Sequence, residues 1–388
     1  MKGNIPPAIF SLVLASLLTS ISVSMVFSIS PFFMTSVLGL TMSAMGAIEG
    51  LTEGLSQLGK MLSGLISDKI KRKKPVLVFG FFLSAASKPL FIMASGLYMI
   101  FASKVIERIT NGLIATARDA FVIDNSPRHL KGACLGLILT SKTLGCVLGS
   151  AIVSLSLIFT EDYRLILWIG FILAVIAFLV LKYFVNESVP KEVEKERFEL
   201  KDIIDLSSGY WSIIGIACIF MCARFSDGFM ILKLDSIGAH KSLSTGVIGI
   251  LNVVSTLCCF PVGKLSDNIS RPKLLYFSFI TLLLSHLCFY FSDSLVVNLI
   301  GVMFWGAQRG TSQILFSAII SDEVKPKILG TAIGTYYLIT GVISLLSGVI
   351  AGHLADINLK YSFLFGTIVS FISLILLVIR NSNIAITR

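Results

Sequence analysis

Charge is what this 388-residue chain has least of. Only 14% of its residues are Asp, Glu, Lys or Arg, against roughly 25% in ordinary soluble domains. With 55% apolar residues and a mean hydropathy of +0.89, a soluble fold would lack the polar surface to cover itself. That leaves an integral membrane protein. Histidine is scarce, at four, and no cysteine stands at metal-ligand spacing to it, so no metal is expected. No phosphate-cradling loop or nucleophile elbow occurs, so neither an enzyme nor ATP as an energy source is expected. The seven cysteines (134, 146, 218, 222, 258, 259 and 288) all fall in apolar runs, where cysteine packs as a small hydrophobe. The formal net charge is nevertheless +10. In a soluble protein that excess would suggest nucleic acid. Here the positive-inside rule accounts for it, and no nucleic-acid partner is expected.

What the chain has in abundance is long apolar runs. A spanning helix needs roughly 20 apolar residues. Twelve spans fit, at about 8–35, 42–67, 75–95, 97–122, 133–158, 163–184, 209–233, 243–266, 272–292, 294–320, 327–354 and 358–380. Lys2 and the run from Ile9 resemble a signal peptide, but the run continues past Val26, so it reads as the first span. One long polar stretch, 186–207, separates six spans from six. The expected organisation is therefore residues 1–185 and 208–388 as two six-helix bundles joined by a cytoplasmic linker.

Loop cations set the orientation. With both termini inside, nineteen Lys and Arg fall in cytoplasmic segments, against Arg164, Lys241 and Lys360 outside. The expectation is a multi-pass protein of the cell (inner) membrane, with both ends cytoplasmic.

The halves repeat. Asp68 and Asp267 lie 199 apart, Arg108 and Arg309 201 apart, and Asp124 and Asp322 198 apart. Gly132 and Gly330, and Gly136 and Gly334, are also 198 apart. Parallel repeats about an axis along the membrane normal are one transporter plan.

The stretch GLISDKIKRKK, 64–74, returns in GKLSDNISRPK, 263–273. Together with the twelve spans, these two phrases resemble the major facilitator superfamily over essentially the whole length. Gly64 to Lys73 is similar to the family's loop signature between helices two and three, with Lys71 at the second glycine. Arg108-Ile109-Thr110-Asn111-Gly112 resembles the fourth-helix motif of proton-coupled members. Arg118-Asp119-Ala120 with Asp124, and Glu49 to Glu53, resemble a bacterial subgroup. The resemblance implies an all-α membrane protein of two pseudo-symmetric six-helix bundles, alternating access, and a monomer. It also implies a gate at Asp68. Arg118 on helix four is the partner chosen for that acid, with Asp119 and Asp124 near it and Asp267 with Arg271 repeating the contact. The alternative is that Asp68 only caps its helix.

Charges held by one half alone are the better candidates for chemistry. Glu49, Glu53, Ser56 and Lys60 share one face of helix two, and adding 199 gives no charged twin for the three charged ones. A carboxylate in low dielectric can load and release a proton, so Glu53 is the first proton candidate, with Glu49, Arg108 and Asp227. The alternative is a static Glu53–Lys60 pair. Lys104, Arg108, Arg118 and Asp119 lie on helix four, and Arg224 and Asp227 on helix seven are expected to pair in part. The resemblance puts helices one, four, seven and ten around the central cavity. There Arg108 and Arg309 could clamp a carboxylate or phosphate from two sides. Arg224, Lys104 and Asn111 complete the substrate candidates.

Ten intramembrane cations against five acids favour an anionic or zwitterionic solute. Gly145 and Gly149 keep GxxxG spacing without the proline of the family's antiporter motif, and read as helix packing. The leading reading is a proton-coupled secondary transporter of a small polar solute. Its partners are the solute, protons and the lipid bilayer, and it uses no cofactor beyond the proton gradient. The alternatives are proton-driven multidrug efflux and, from another class, a membrane receptor or sensor.

Overall fold

The computed structural model describes residues 5–69, 73–127, 130–186, 207–266, 269–324 and 328–386; of residues 58, 60–69, 260, 330–331 and 383–386 it describes the backbone alone. These residues form thirteen α-helices and no strand. α1 (Pro7–Phe32) runs on through a π-helical segment, Phe33–Val37, into α2 (Met42–Lys69), α3 (Lys74–Ile92), α4 (Leu97–Asn125), α5 (Lys131–Phe159) and α6 (Tyr163–Phe184). After the linker come α7 (Ser208–Ala223), α8 (Gly228–Ser236), α9 (Lys241–Leu265), α10 (Arg271–Phe291), α11 (Leu295–Glu323), α12 (Leu329–Ile357) and α13 (Leu359–Ile386). α7 and α8 are halves of one apolar stretch, Ser208–Ser236, so the thirteen helices make twelve spans. Nine of these are long and apolar enough to cross a membrane by composition alone. The other three, α2, α4 and α11, carry most of the candidate charges. The fold is the all-α membrane architecture that the sequence implies.

The chain packs into two compact units: 1–39, 55–196 and 241–249; and 40–54, 197–240 and 250–388. In the first, α1 packs on α5 and α6, and α3 on α4 and α6. Gly145 and Gly149 let α5 approach the α1 backbone: a Cβ on Gly145 would stand 2.7 Å from the Leu17 carbonyl oxygen, and one on Gly149 would strike that of Ile21. The GxxxG pair thus does packing work. The first turns of α9 join this unit, where Ser154 Oγ donates to the Ser242 carbonyl (2.7 Å) and Ser242 Oγ to the Ser154 carbonyl (2.6 Å).

In the second unit α10 packs on α11 and α13, and α7 on α12 and α13. The first turns of α2 lie against α12 with backbones almost touching: a Cβ on Gly54 would meet the Gly341 carbonyl oxygen at 2.7 Å. Above them Asp356 caps α2, accepting the Met42 N–H at 2.6 Å and the Ser43 N–H at 3.1 Å. A carboxylate suits that end because the first N–H groups of a helix are unpaired and its dipole is positive there.

Helix lengths fix the register of the repeat. α4 and α11 have 29 residues each, and so do α5 and α12. Leu97 corresponds to Leu295 and Asn125 to Glu323, an offset of 198. By that register the equivalent of Arg309 is Asn111, and that of Arg108 is Gly306. Arg108 and Arg309, 201 apart, are therefore one helical turn out of equivalence, which corrects their pairing as landmarks of the repeat. A shared staple supports the register across the facing helices. Ser103 Oγ donates to the Ser87 carbonyl (2.7 Å), and Ser285 Oγ to the Gly301 carbonyl (2.8 Å), each across 16 residues.

At one end of the second unit, exposed Asp293 lies between Lys233 Nζ and Lys360 Nζ, each at 2.7 Å. The hydrogen bond from Lys233, then that from Lys360, pulls its carboxyl down to about 2 from the usual 3.8. A depressed folded value gives stability that is present above the unfolded pKa and lost as pH falls through the folded one. The expected result is that Asp293→Asn lowers the thermal midpoint of the purified protein by the same small margin from pH 7 to about pH 5, and that the margin closes toward pH 2. A margin that grew on acidification would contradict the pairing.

Candidate functional site

The span Ser208–Ser236 is interrupted at Arg224–Asp227. The sequence shows why: Arg224-Phe225-Ser226-Asp227-Gly228 puts turn-forming residues in the middle of an apolar run. A break inside a membrane leaves backbone groups that must find partners. Here the Cys222 carbonyl takes the Ser347 hydroxyl (2.6 Å), the Ala223 carbonyl pairs with His286 Nε2 (3.0 Å), and the Gly228 N–H donates to Ser226 Oγ (3.1 Å).

Asp227 stands at the start of α8, 8% exposed. Its Oδ2 accepts from Arg309 Nη1, and its Oδ1 accepts the Trp305 indole N–H at 2.8 Å. The side-chain hydrogen bond to this carboxylate comes from Arg309, reaching across from α11, while Asp227 also acts on Arg224 through its charge, in keeping with the expected partial pairing. Arg224 remains in the cluster, half-buried, with Arg309, Asp227, Glu53 and Tyr336 as its electrostatic neighbours. The second unit therefore brings together four of the predicted residues: Glu53, Arg224, Asp227 and Arg309. The guanidinium of Arg309 is 34% exposed while Asp227 is covered, so the open face of the pair is cationic.

The first unit holds the helix-four residues. Arg108 lies over the Phe27 ring at 5.5 Å and Lys104 over Phe91 at 6.0 Å. Glu107 forms an ion pair with Lys88, and both are buried. Lys88 precedes Pro89 inside α3, and its pairing needs the α3–α4 crossing. Asn111 is half-buried on the same helix, one turn beyond Glu107. Glu49 is buried and belongs, like Glu53, to the second unit. Arg108 and Arg309 lie in different units.

For the gate residues, Arg118 pairs with its neighbour Asp119 at 3.1 Å. Arg271 binds Asp322 at 2.5 Å and the Ala318 carbonyl at 2.9 Å. Asp124 is exposed at the end of α4. The side chain of Asp68 and the whole of Asp267 lie outside the described residues. Among the described residues no group of His, Cys, Asp and Glu could hold a metal. Trp305 and the break itself were missed by sequence reasoning; Ser-Asp-Gly inside a span was the available signal for the break.

Comparison with known proteins agrees with this architecture. The family model described as Major Facilitator Superfamily matches residues 12–322 and 232–385. An uncharacterised MFS-type transporter of Methanocaldococcus jannaschii is 30% identical over 385 residues, covering 95% of this chain and 94% of the relative. A multidrug resistance protein, MdtH, of Edwardsiella ictaluri is 27% identical over 168 residues, covering 43% of this chain and 41% of its own. Among solved structures, the nucleoside transporter NupG superposes with TM-score 0.84 at 15% identity, over 96% of this chain and 99% of that one. The peptide transporter POT with bound sulfate gives 0.78 at 11% identity, over 96% and 93%. These two likenesses concern the fold.

Proposed function

The chain belongs to the major facilitator superfamily, whose members are secondary transporters of small molecules, and from that premise we propose that it carries a small anionic or zwitterionic solute, coupled to protons, by alternating access. The observation that carries this reading is the Asp227 carboxylate held between Arg309 and Trp305 at a break in a span. Buried intramembrane charges mark ion or substrate paths by default. Broken spans are where transporters of other folds place their solute. Arg309 and Arg224 present two planar cationic forks to a carboxylate or phosphate. A solute anion that takes Arg309 from Asp227 leaves a buried carboxylate without its cation, and a proton then neutralises it. Solute charge and proton would so enter together. Glu53, in the field of Arg224, is the second proton carrier in this reading, and Glu49 and Arg108 are the further candidates for coupling. Lys104 and Asn111 on α4 are the further solute candidates, and the acids and arginines at 68, 118, 119, 124, 267 and 271 are the gating candidates. Both termini are cytoplasmic, and the working unit is a monomer.

The test is a metabolite screen in proteoliposomes with and without an imposed pH gradient. Organic acids, amino acids or phosphorylated solutes should accumulate only with the gradient. If none responds, proton coupling fails; if only uncharged solutes respond, the anion reading fails. The second reading, proton-driven efflux of hydrophobic drugs, is favoured by the partial likeness to a multidrug resistance protein. A susceptibility panel on a deletion strain separates the two.

A further inference from the structure

We infer that His286 and Trp305 are positioning residues: together they brace the two ends of the broken span and so set the Asp227–Arg309 pair. This deepens the reading of that site given above and rests on it for its functional meaning. The geometry is compact. His286 Nε2 meets the carbonyl oxygen of Ala223, the last residue of α7, at 3.0 Å. A carbonyl only accepts, so the proton sits on Nε2. Trp305 Nε1 donates at 2.8 Å to Asp227, the residue before the first turn of α8. The two rings touch edge to face, with centroids 5.3 Å apart at 82°. Phe225, inside the break, lies against both, at 5.3 Å from His286 and 5.8 Å from Trp305. One aromatic pair thus holds the last carbonyl of one half-helix and the first side chain of the next.

Three further facts separate a brace from ordinary core packing. Both rings are completely buried, and a carbonyl orphaned in a membrane interior is costly unless a donor reaches it. Space is also reserved for the imidazole: a Cβ on Gly366 would collide with the His286 ring. Finally, the repeat supplies an internal control. At an offset of 198, Lys88 corresponds to His286 and Glu107 to Trp305. The first unit has a direct contact between these same two positions, as an ion pair. Its first span, α1, is continuous from Pro7 to Phe32, so there is no interruption to hold. The aromatic pair occurs in the repeat whose first span is broken, and the ionic pair in the repeat whose first span is whole. The architecture of this crossing therefore does not dictate His and Trp; the break does.

Trp305 also makes the test possible without a known solute. Trp168→Phe with Trp211→Phe leaves it the sole tryptophan. Acrylamide quenching of its emission in the purified full-length protein then reports how well the break is closed around it. In that background His286→Leu, which removes the donor to Ala223, should raise quenching several-fold and shift emission to the red. His286→Gln, whose amide N–H reaches the same place, should keep the parent's shielding even where its melting temperature falls. Gly366→Ala, which drives a methyl into the imidazole, should reproduce the leucine result and serves if the leucine variant does not fold. Shielding unchanged in both His286→Leu and Gly366→Ala, or a glutamine variant as exposed as the leucine one, would overturn the brace. The readout needs no transport, so a failed pH-gradient screen leaves it standing and a failed quenching experiment leaves the screen standing.

Discussion

Asp227→Asn is expected to abolish gradient-driven uptake while sparing exchange of solute at equal pH. Asparagine keeps an acceptor for the Trp305 N–H and nearly the same volume, so the break should hold. What it loses is the negative charge opposite Arg309 and the ability to take a proton. Removing one partner of a buried ion pair costs about 3–5 kcal/mol. Arg309 is a third exposed, so water recovers part of that, and the variant is expected to lose about 2–3 kcal/mol of folding stability while its transport defect is confined to coupling. The measurement is initial uptake of the solute found in the screen, into liposomes with and without an alkaline interior, beside counterflow at symmetric pH. Accumulation that still follows the gradient in the asparagine variant would remove Asp227 from the coupling path and leave Glu53 as the proton candidate. Trp305 emission, in the single-tryptophan background, shows whether the variant is folded.

The second large effect is expected at the Lys88–Glu107 pair, and it concerns stability. Lys88 is 1% exposed and Glu107 7%. Taking two charges out of water is costly, and their attraction repays it only while both are present. Lys88→Met alone, or Glu107→Met alone, should each destabilise by about 3–5 kcal/mol, because a buried charge is left without its partner. The double variant should recover most of that loss, since hydrophobic replacements of buried pairs are often neutral. The repeat offers a precedent, because the equivalent pair His286–Trp305 fills its crossing with no ion pair. A double-mutant cycle on melting in detergent isolates the coupling. If the double variant is as unstable as the two single losses summed, the pair is not acting as a unit. Loss of transport in a stable double variant would show instead that the charges work in the cycle.

Much of the architecture was legible because the bilayer imposes a coarse rule. Each span must be apolar and long enough, and Lys and Arg must collect on one side. Counting therefore found the twelve spans, and constant offsets found the repeat. Arg224 and Asp227 were named as charges inside a span and Arg309 as the supposed twin of Arg108, and the fold gathers all three. The register was less secure. Arg108 and Arg309 share a residue type, and type suggested equivalence, yet helix lengths make Asn111 the equivalent of Arg309.

The sequence by itself determined the class, the span count and the duplication. These depend on composition and period, which are local properties summed along the chain. The tertiary structure alone decided which charge meets which. Asp227 took a hydrogen bond from Arg309 on another helix, Glu107 found Lys88, and Trp305 became a donor. Such choices depend on which faces of crossing helices meet and at what height. A one-turn difference moves a side chain about 5.4 Å along the helix axis, beyond hydrogen-bond reach. The break in the seventh span shows both halves of this division. Ser-Asp-Gly lay unread inside an apolar run taken as one span, and only His286, Ser347 and Trp305, arriving from three other helices, show where the helix breaks and how the break is held.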